Sequence, residues 1–265
     1  MNPSVKLDRF RDKIAVVTGG AQGIGRATVE RMAMEGGKVF IVDRAEDAAR
    51  ATAKALCAEG LDVDVAIADM GTWAGASKVI DDIVALAGRI DVLVNNVGGT
   101  IWIKPFVEYT EDEIKAEMDR SFWPTIWACR AVIPHMIARK SGSIVNVGSN
   151  SVRGIYRIPY ATAKGGVMAI TTSLAVELAE SGVRINCVAP GGTDVPNRAT
   201  PRNESPASAQ EDVWANEMRQ FVYHQMPMHR RGRVEEQASA IAFMASDDAS
   251  FVTGQILSVA GGASV

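Results

Sequence analysis

Short apolar runs that alternate with longer helical patterns are the feature that most restricts the fold of this chain. The runs are nearly continuous in apolar residues, which is typical of parallel strands covered on both faces. They lie at 14–18, 38–43, 63–68, 92–95, 143–147, 184–189 and 255–259. Helical patterns lie at 25–35, 47–59, 74–87, 110–138, 159–180 and 234–245. This alternation predicts an α/β fold in which residues 1–265 form a single domain, a doubly wound parallel sheet with helices on both faces.

Two segments depart from this rhythm. Pro124 lies inside the long helical pattern at 110–138 and should bend or split that helix. Residues 191–233 are polar, rich in Pro, Asn and Ser, and carry no strand pattern. A long insertion after the carboxyl end of a strand is a typical place for a substrate lid, so we expect a lid here; a solvated excursion is the alternative.

The sequence TGGAQGIG at 18–25 joins the first strand to the first helix. Gly19 permits a tight turn, Gly23 lets the backbone approach a pyrophosphate, and Gly25 allows close packing of helix on strand. The first N–H groups of the helix can then bind phosphate oxygens. Strand, loop, helix and second strand follow in the order of a dinucleotide site, although a purely structural turn is also possible.

The residue that ends the second strand bears on the choice of dinucleotide. Asp43 can accept hydrogen bonds from ribose hydroxyls, and its charge would repel a 2′-phosphate. Arg44 could soften that repulsion, but Ala21 and Gln22 bring no positive charge to the glycine loop. The sequence therefore favours NAD over NADP.

A tyrosine and a lysine stand one helical turn apart in GSNSVRGIYRIPYATAK, at 148–164. Tyr160 and Lys164 are i and i+4, which places both side chains on one helix face. A neighbouring ammonium favours the phenolate form of tyrosine, so the pair could exchange a proton with a substrate. Ser149 places a second hydroxyl eleven residues before the tyrosine.

Composition excludes several classes of function. A net charge of −3 gives no electrostatic case for nucleic acid or an anionic membrane surface as partner. No apolar run approaches the roughly 18 residues of a membrane span. The 3 cysteines are scattered, which suits a reducing cytoplasm, and they form no ligand pattern with the 3 histidines. We expect a cytoplasmic protein with no metal and a small-molecule substrate.

Six motifs, in matching order and spacing over essentially the whole chain, resemble those of the short-chain dehydrogenase/reductase family. They are TGGAQGIG, the pair Asp69 and Met70 after the third strand, NNVG at 95–98, Ser149, YATAK at 160–164, and APGG at 189–192. The resemblance implies a Rossmann-type domain, hydride transfer between a nicotinamide dinucleotide and a carbinol or carbonyl carbon, and a homo-oligomer, often a tetramer.

The resemblance also implies roles for individual residues. Tyr160 would be the catalytic acid/base, Lys164 would hold the nicotinamide ribose, and Ser149 would orient the reacting oxygen. Ser121 stands where the family often has an asparagine that completes a proton relay, and its reach is shorter. The implied cofactor contacts are Gly19, Gln22, Gly23, Ile24, Gly25, Asp43, Asp69, Met70, Asn96, Val97, Gly98, Tyr160, Lys164, Pro190 and Thr193.

Within the family, SNSVRG, RIPYATAKGG, APGGT and TPRN resemble bacterial dehydrogenases of cis-dihydrodiol carboxylates. This implies NAD-dependent oxidation of a 1,6-dihydroxycyclohexa-2,4-diene-1-carboxylate to a catechol with loss of CO2. A guanidinium can hold a carboxylate through two hydrogen bonds, and a surface charge is the alternative for each arginine. The candidates, beside Ser149, are Arg153, Arg157, Arg198 and Arg202. The aromatic residues that could wall a six-membered ring are Trp102, Phe106, Phe122 and Trp123.

Three other functions remain open at this point. A related alcohol dehydrogenase, for example of a sugar or polyol, or a 3-oxoacyl-thioester reductase would share the cofactor residues. A non-catalytic protein that senses a dinucleotide could use the same fold. Replacement of Tyr160 by Phe separates the last possibility from an enzyme, because a sensor would keep its function.

Overall fold

A computed structural model describes residues 8–195, 203 and 208–263. Its strands are β1 (Ile14–Thr18), β2 (Lys38–Asp43), β3 (Val63–Ile67), β4 (Val92–Asn95), β5 (Gly142–Val147), β6 (Val183–Pro190), β7 (Thr193–Asp194), β8 (Gly232–Arg233) and β9 (Ile256–Val259). Its α-helices are α1 (Gly23–Met34), α2 (Glu46–Ala58), α3 (Trp73–Ala87), α4 (Glu111–Ser121), α5 (Trp123–Arg139), α6 (Ile158–Glu177), α7 (Ala209–His224) and α8 (Val234–Ala245). Single turns of 3₁₀ helix lie at Phe106–Glu108, Asn150–Arg153 and Asp247–Ala249.

The main sheet has seven parallel strands in the order β3-β2-β1-β4-β5-β6-β9. The chain builds outward from β1 to β3 and then returns to β1 to build the other half. The order therefore reverses between β1 and β4, which is where open α/β sheets bind ligands at their carboxyl edge. The predicted doubly wound parallel sheet is confirmed.

Helices cover both faces of this sheet because successive strand residues point to opposite sides. Val17 packs in one layer with Val29 of α1 and Ile241 of α8. Its neighbour Val16 packs in the other layer with Ile80 of α3 and Met136 of α5. Each such fully buried side chain contributes about 1.5–3 kcal/mol to folding. The continuous apolar runs of the sequence are the signature of this double coverage.

The helix predicted at 110–138 is split, as the position of Pro124 indicates. α4 starts at a capping box between Thr110 and Glu113 and ends at Ser121. α5 starts at Trp123 with Pro124 in its first turn, where a missing N–H leaves no hydrogen bond unmade. The break turns the end of α4 toward the carboxyl edge of the sheet, close to the loop after β4.

The described residues of the segment 191–233 contain more regular structure than their composition predicts. The expectation that it lacks a strand is wrong, because β7 and β8 form a two-residue parallel ribbon. It also contains α7, which starts at a capping box between Ser208 and Glu211. Its helical period is weak because Met218 is its one buried residue. Within the described ranges, none of the helices has the length and apolar content that crossing a membrane requires.

Candidate active site

A cleft of about 1230 Å³ opens at the carboxyl edge of the sheet, at the reversal between β1 and β4. Its walls come from the loops after β1 to β6, from α4 and from the second half of α7. The cleft has two ends. The cofactor end, as we call it, contains the glycine loop, Asp43, Asp69 and Met70. The substrate end contains Ile101, Ser149, Arg157, Tyr160 and residues of α7.

The glycine loop adopts a backbone that other residues would strain. Gly19 and Gly23 have φ angles of 65° and 59°, in the left-handed region that favours glycine. A Cβ atom on Gly25 would overlap the carbonyl oxygen of Gly19, so only glycine lets α1 start this close to β1. The Asn96 Nδ2 atom donates to the Gly19 carbonyl at 2.9 Å and fixes the loop from β4.

The start of α1 suits an anion. Its N-cap, Gln22, makes no side-chain capping bond, and the first turn contains no acidic residue. The amide groups and the positive end of the helix dipole therefore face the cleft without a competing carboxylate. Gly19, Gln22, Gly23 and Ile24 line the cleft here, whereas Gly25 is buried beneath it.

Asp43 is held in place by backbone amides on both sides. One carboxylate oxygen accepts from Ala21 N at 3.3 Å and the other from Ala45 N at 3.0 Å. Further along, Asp69 accepts from Gly71 N at 2.9 Å, and Met70 is buried beside it. These side chains line the cleft beyond the glycine loop, where the adenosine half of a dinucleotide would extend.

The other predicted cofactor residues also meet this cleft. Asn96, Val97 and Gly98 line it after β4, and Pro190 and Thr193 line it after β6. A shallow cradle with phosphate-binding amides at its center and a carboxylate at the ribose end is what a dinucleotide needs. The residues present therefore fit such a cofactor.

Tyr160 and Lys164 lie in the first two turns of α6 and both line the cleft. Lys164 is 2% exposed, and its Nζ donates to the Val147 carbonyl at 2.7 Å. A Cβ atom on Gly98 would come within 3.0 Å of that Nζ, so the loop after β4 passes directly over the ammonium. Tyr160 is half-buried in the wall of the cleft.

Ser149 follows β5 and is 5% exposed. Its Oγ accepts from Ser151 N at 3.1 Å, which caps a 3₁₀ turn and leaves the hydroxyl proton for another acceptor. The structure thus brings Ser149, Tyr160 and Lys164 to one cleft. Cys187 lies nearby behind Gly148, but burial raises the pKa of this thiol to about 11, so it supplies no thiolate at neutral pH.

Ser121 is buried, and its side chain meets the protein backbone rather than the cleft. Its Oγ accepts from Gly99 N at 3.1 Å, and the residue does not line the cleft. The geometry assigns the hydroxyl to anchoring the loop after β4. The predicted part of Ser121 in a proton relay stays a prediction.

The substrate arginines divide into three cases. Arg157 lines the cleft, with its guanidinium carbon 5.9 Å from the center of the Tyr160 ring. Arg153 is exposed and does not line the cleft, so the structure does not bring it to the site. Arg198 and Arg202 lie outside the described residues.

The four aromatic residues expected around the ring do not line the cleft. Phe122 packs against α6, where a Cβ atom on Gly166 would be 2.7 Å from its ring. Trp123 stacks on Trp127 with ring centers 5.2 Å apart. The backbone N–H of Trp102 donates to Glu117, and its carbonyl accepts from Tyr109 Oη. Phe106 is 54% exposed. The expectation of an aromatic wall is wrong, because none of these four residues lines the cleft.

Aliphatic side chains that the sequence did not indicate occupy that place. Ile101, Met218, Val222 and Met226 line the substrate end. A Cβ atom on Gly192 would lie 3.1 Å from Val222 and 3.2 Å from the Met226 sulfur, so α7 packs directly on the loop after β6. The spacing of Ser208 and Glu211 was the available signal for α7. Within the described ranges, no three potential ligand side chains gather as a metal site requires.

Comparison with known proteins agrees with this geometry. A family model described as short chain dehydrogenase matches residues 13–206. The 1,6-dihydroxycyclohexa-2,4-diene-1-carboxylate dehydrogenase of Acinetobacter baylyi is 48% identical over 96% of this chain and 97% of its own length. The enzyme of that name from Pseudomonas putida is 48% identical over 96% of this chain and 93% of its own.

Solved structures give the same result. Levodione reductase superposes with a TM-score of 0.84 at 29% sequence identity, over 96% of this chain and 98% of that one. This chain belongs to the short-chain dehydrogenase family of oxidoreductases, enzymes that use a nicotinamide dinucleotide.

Proposed function

We propose that this chain catalyses the NAD-dependent oxidation of a cyclic cis-diol carboxylate of the 1,6-dihydroxycyclohexa-2,4-diene-1-carboxylate type. The products are a catechol and CO2. The observation that carries the proposal is 48% identity, over 96% of this chain, with two dehydrogenases named for that substrate. The meeting of Ser149, Tyr160 and Lys164 in one cleft with the glycine loop supports the same chemistry.

The substrate fixes which carbon reacts. The carbon that bears the carboxylate also bears a hydroxyl and no hydrogen, so it cannot be oxidised to a ketone. Oxidation of its neighbour produces a ketone β to the carboxylate. The C–C bond to the carboxylate then breaks, CO2 leaves, and the electron pair forms the enolate of an aromatic ring. Protonation of that oxygen gives catechol, so the enzyme needs to catalyse only the oxidation.

The side chains divide the proton chemistry among them. Tyr160, as phenolate, accepts the proton of the reacting hydroxyl, and Ser149 donates a hydrogen bond that orients its oxygen. Lys164 keeps a positive charge close to the phenolate, anchored to the Val147 carbonyl. A bound nicotinamide dinucleotide supplies the hydride acceptor.

Asp43 selects NAD in this proposal. Two backbone amides hold its carboxylate at the cofactor end, where it can accept hydrogen bonds from the ribose hydroxyls. A 2′-phosphate would meet that negative charge at short range. Arg44 also lines the cleft and is exposed. Solvent therefore screens its charge, which offsets the repulsion between Asp43 and a 2′-phosphate only in part.

Arg157 binds the substrate carboxylate in this proposal. Its guanidinium carbon is 5.9 Å from the center of the Tyr160 ring, on the same side of the cleft as the proposed acid/base. Ile101, Met218 and Met226 supply apolar surface to the ring on the other sides. Arg198 and Arg202 stay predictions for the same role.

We also propose that the chain acts as a homotetramer in the cytoplasm. The family resemblance implies the tetramer, and large apolar side chains at the surface support it: Val176 is 80% exposed and Phe251 fully exposed. All three cysteines are free thiols, which is consistent with a reducing compartment. Light scattering on the purified protein tests the assembly.

One assay tests the substrate. The purified chain is mixed with NAD or NADP and with the benzoate diol, the same diol without its carboxylate, or a 3-hydroxyacyl thioester, and the absorbance of the reduced nicotinamide is followed. We expect the highest kcat/KM with NAD and the benzoate diol, and catechol and CO2 as products.

The panel also contains the results that would contradict the proposal. Equal turnover of the uncarboxylated diol would remove the role of Arg157, and preference for the thioester would replace the proposed substrate. Binding of the dinucleotide without turnover of any panel member would favour a sensor. Arg157→Lys is the matched variant, because it keeps the charge and loses the two-pronged hydrogen bonding.

A further inference from the structure

Glu117 is a buried carboxylate behind the substrate end that the chemistry above does not use. It lies on α4, is 0% exposed, and forms no ion pair with a residue that the structure describes. One oxygen, Oε1, accepts from Ile101 N at 2.7 Å and from Trp102 N at 3.1 Å, and Thr100 Oγ1 lies 3.4 Å from it. The other oxygen, Oε2, makes no hydrogen bond within the described part of the chain.

Burying a carboxylate in this position costs free energy of folding. Burial raises the pKa of Glu117, and the amides of Ile101 and Trp102 oppose that shift. An apolar side chain would fill the same space without desolvating a charge. An apolar side chain could not accept hydrogen bonds from the two amides, which donate to no backbone carbonyl within the described part of the chain. The hydrogen bonds to the loop are therefore what the carboxylate provides.

The loop that Glu117 holds starts with two glycines, which leave its backbone free to adopt several conformations. It begins at Gly98 and Gly99, with φ angles of 145° and 136°, and glycine restricts its own backbone least of all residues. Ser121, one helical turn after Glu117, accepts from Gly99 N. Two side chains on one face of α4 thus fix three amides within four residues of the loop.

This loop forms part of the substrate end and connects to the rest of it. Ile101 lines the cleft. The Trp102 carbonyl accepts from Tyr109 Oη at 2.8 Å, and Lys104 N donates to the Tyr156 carbonyl at 2.7 Å. Tyr156 directly precedes Arg157. A shift of the loop would therefore move both the apolar wall and the arginine.

We propose that Glu117 is a positioning residue that holds residues 100–102 in place and thereby sets substrate affinity, without touching substrate or cofactor. The position of the Glu117 acceptor oxygen determines how well the loop is held, and the charge of the carboxylate does not. This inference rests on the proposed function for the identity of the substrate, but not for the effect on the loop.

A matched pair of variants separates position from charge. Glu117→Gln keeps an acceptor oxygen at the same reach and removes the charge, whereas Glu117→Asp keeps the charge and withdraws the oxygen by one methylene. We expect the Asp variant to raise KM for the diol about tenfold, with a smaller change in kcat and an unchanged Kd for NAD. The Gln variant should stay within about threefold of the parent in all three constants.

Hydrogen–deuterium exchange of the peptide that spans 99–104 provides a readout without turnover. The amides of Ile101 and Trp102 should exchange about tenfold faster in the Asp variant and at the parental rate in the Gln variant. Binding of NAD confirms that each variant is folded. Parental exchange and KM in the Asp variant would overturn the inference, and so would a Gln variant as impaired as the Asp variant.

Failure of the proposed function would look different. In that case the parent itself would not oxidise the diol, while the exchange rates of the two variants would still differ as described.

Discussion

The two ends of the cleft are formed by different kinds of contacts. At the cofactor end, short loops leave the strands directly, and Asn96, Ala21 and Asp43 connect neighboring loops by hydrogen bonds to backbone groups. At the substrate end, side chains of the loops and of α7 bond to one another, as Tyr156 Oη does when it donates to the Glu217 carboxylate. The first end follows from the sheet, whereas the second depends on how α7 and two loops pack on it.

This difference has a functional consequence. Backbone amides and glycines at the edge of a rigid sheet recognise the part of the reaction that does not vary, the dinucleotide. Side chains from loops and α7 surround the part that does vary, the substrate. Variants at the cofactor end should therefore change dinucleotide affinity and choice, and variants at the substrate end should change KM for the diol.

Tyr160 is where the two ends meet, and its loss should have the largest effect. Tyr160→Phe removes the group that accepts the substrate proton but keeps the ring in the wall of the cleft. We expect kcat to fall about 10²–10⁴-fold, while the Kd for NAD, measured by calorimetry, stays within about threefold. Turnover at the parental rate would mean that another group takes the proton, and the proposed chemistry would fail.

Asp43 tests the cofactor end alone. Asp43→Ala should lower kcat/KM for NAD about tenfold, because charged hydrogen bonds to the ribose hydroxyls are lost, and it should narrow the gap to NADP. KM for the diol at saturating NAD should not change. Asp47→Ala is the control, since it removes an exposed carboxylate from the first turn of α2 without altering the cleft. An unchanged preference for NAD in the Asp43 variant would assign the selection to another residue.

Most residues predicted to bind the cofactor line one cleft, and the sequence could indicate them because its signals there are local. A glycine such as Gly25 is required by a contact only six residues away, and the order of strand, loop and helix is visible in the composition of each segment. The continuous apolar runs of the strands likewise predicted that helices cover both faces of the sheet. Asn96 was predicted to border the cofactor; that its amide also braces the glycine loop became visible only when β4 was placed beside β1.

The substrate end was predicted poorly for the opposite reason. Aromatic side chains have the right chemistry to contact a substrate ring, and the sequence offered four: Trp102, Phe106, Phe122 and Trp123. The direction in which such a side chain points depends on residues that are distant in the sequence and pack against it. Phe122 turns to α6 because Gly166 leaves room for its ring there. α7 buries little apolar surface of its own, so its period was weak, and its contribution to the site depends on contact with Gly192.

Tyr156 tests the substrate end alone and should give the smallest effect. Its backbone has a φ angle of 60°, and its Oη donates to Glu217 of α7 at 2.7 Å, so one residue ties the loop that carries Arg157 to that helix. Tyr156→Phe removes this bond and keeps the ring beside Trp214. Because the bond is exposed to solvent, we expect KM for the diol to rise only about two- to fivefold, with Kd for NAD unchanged. Glu217→Gln keeps an acceptor and should stay closer to the parent in KM. If the Phe variant weakened NAD binding as much as it raised KM, the two ends would be coupled through α7, and the separation drawn between them would not hold.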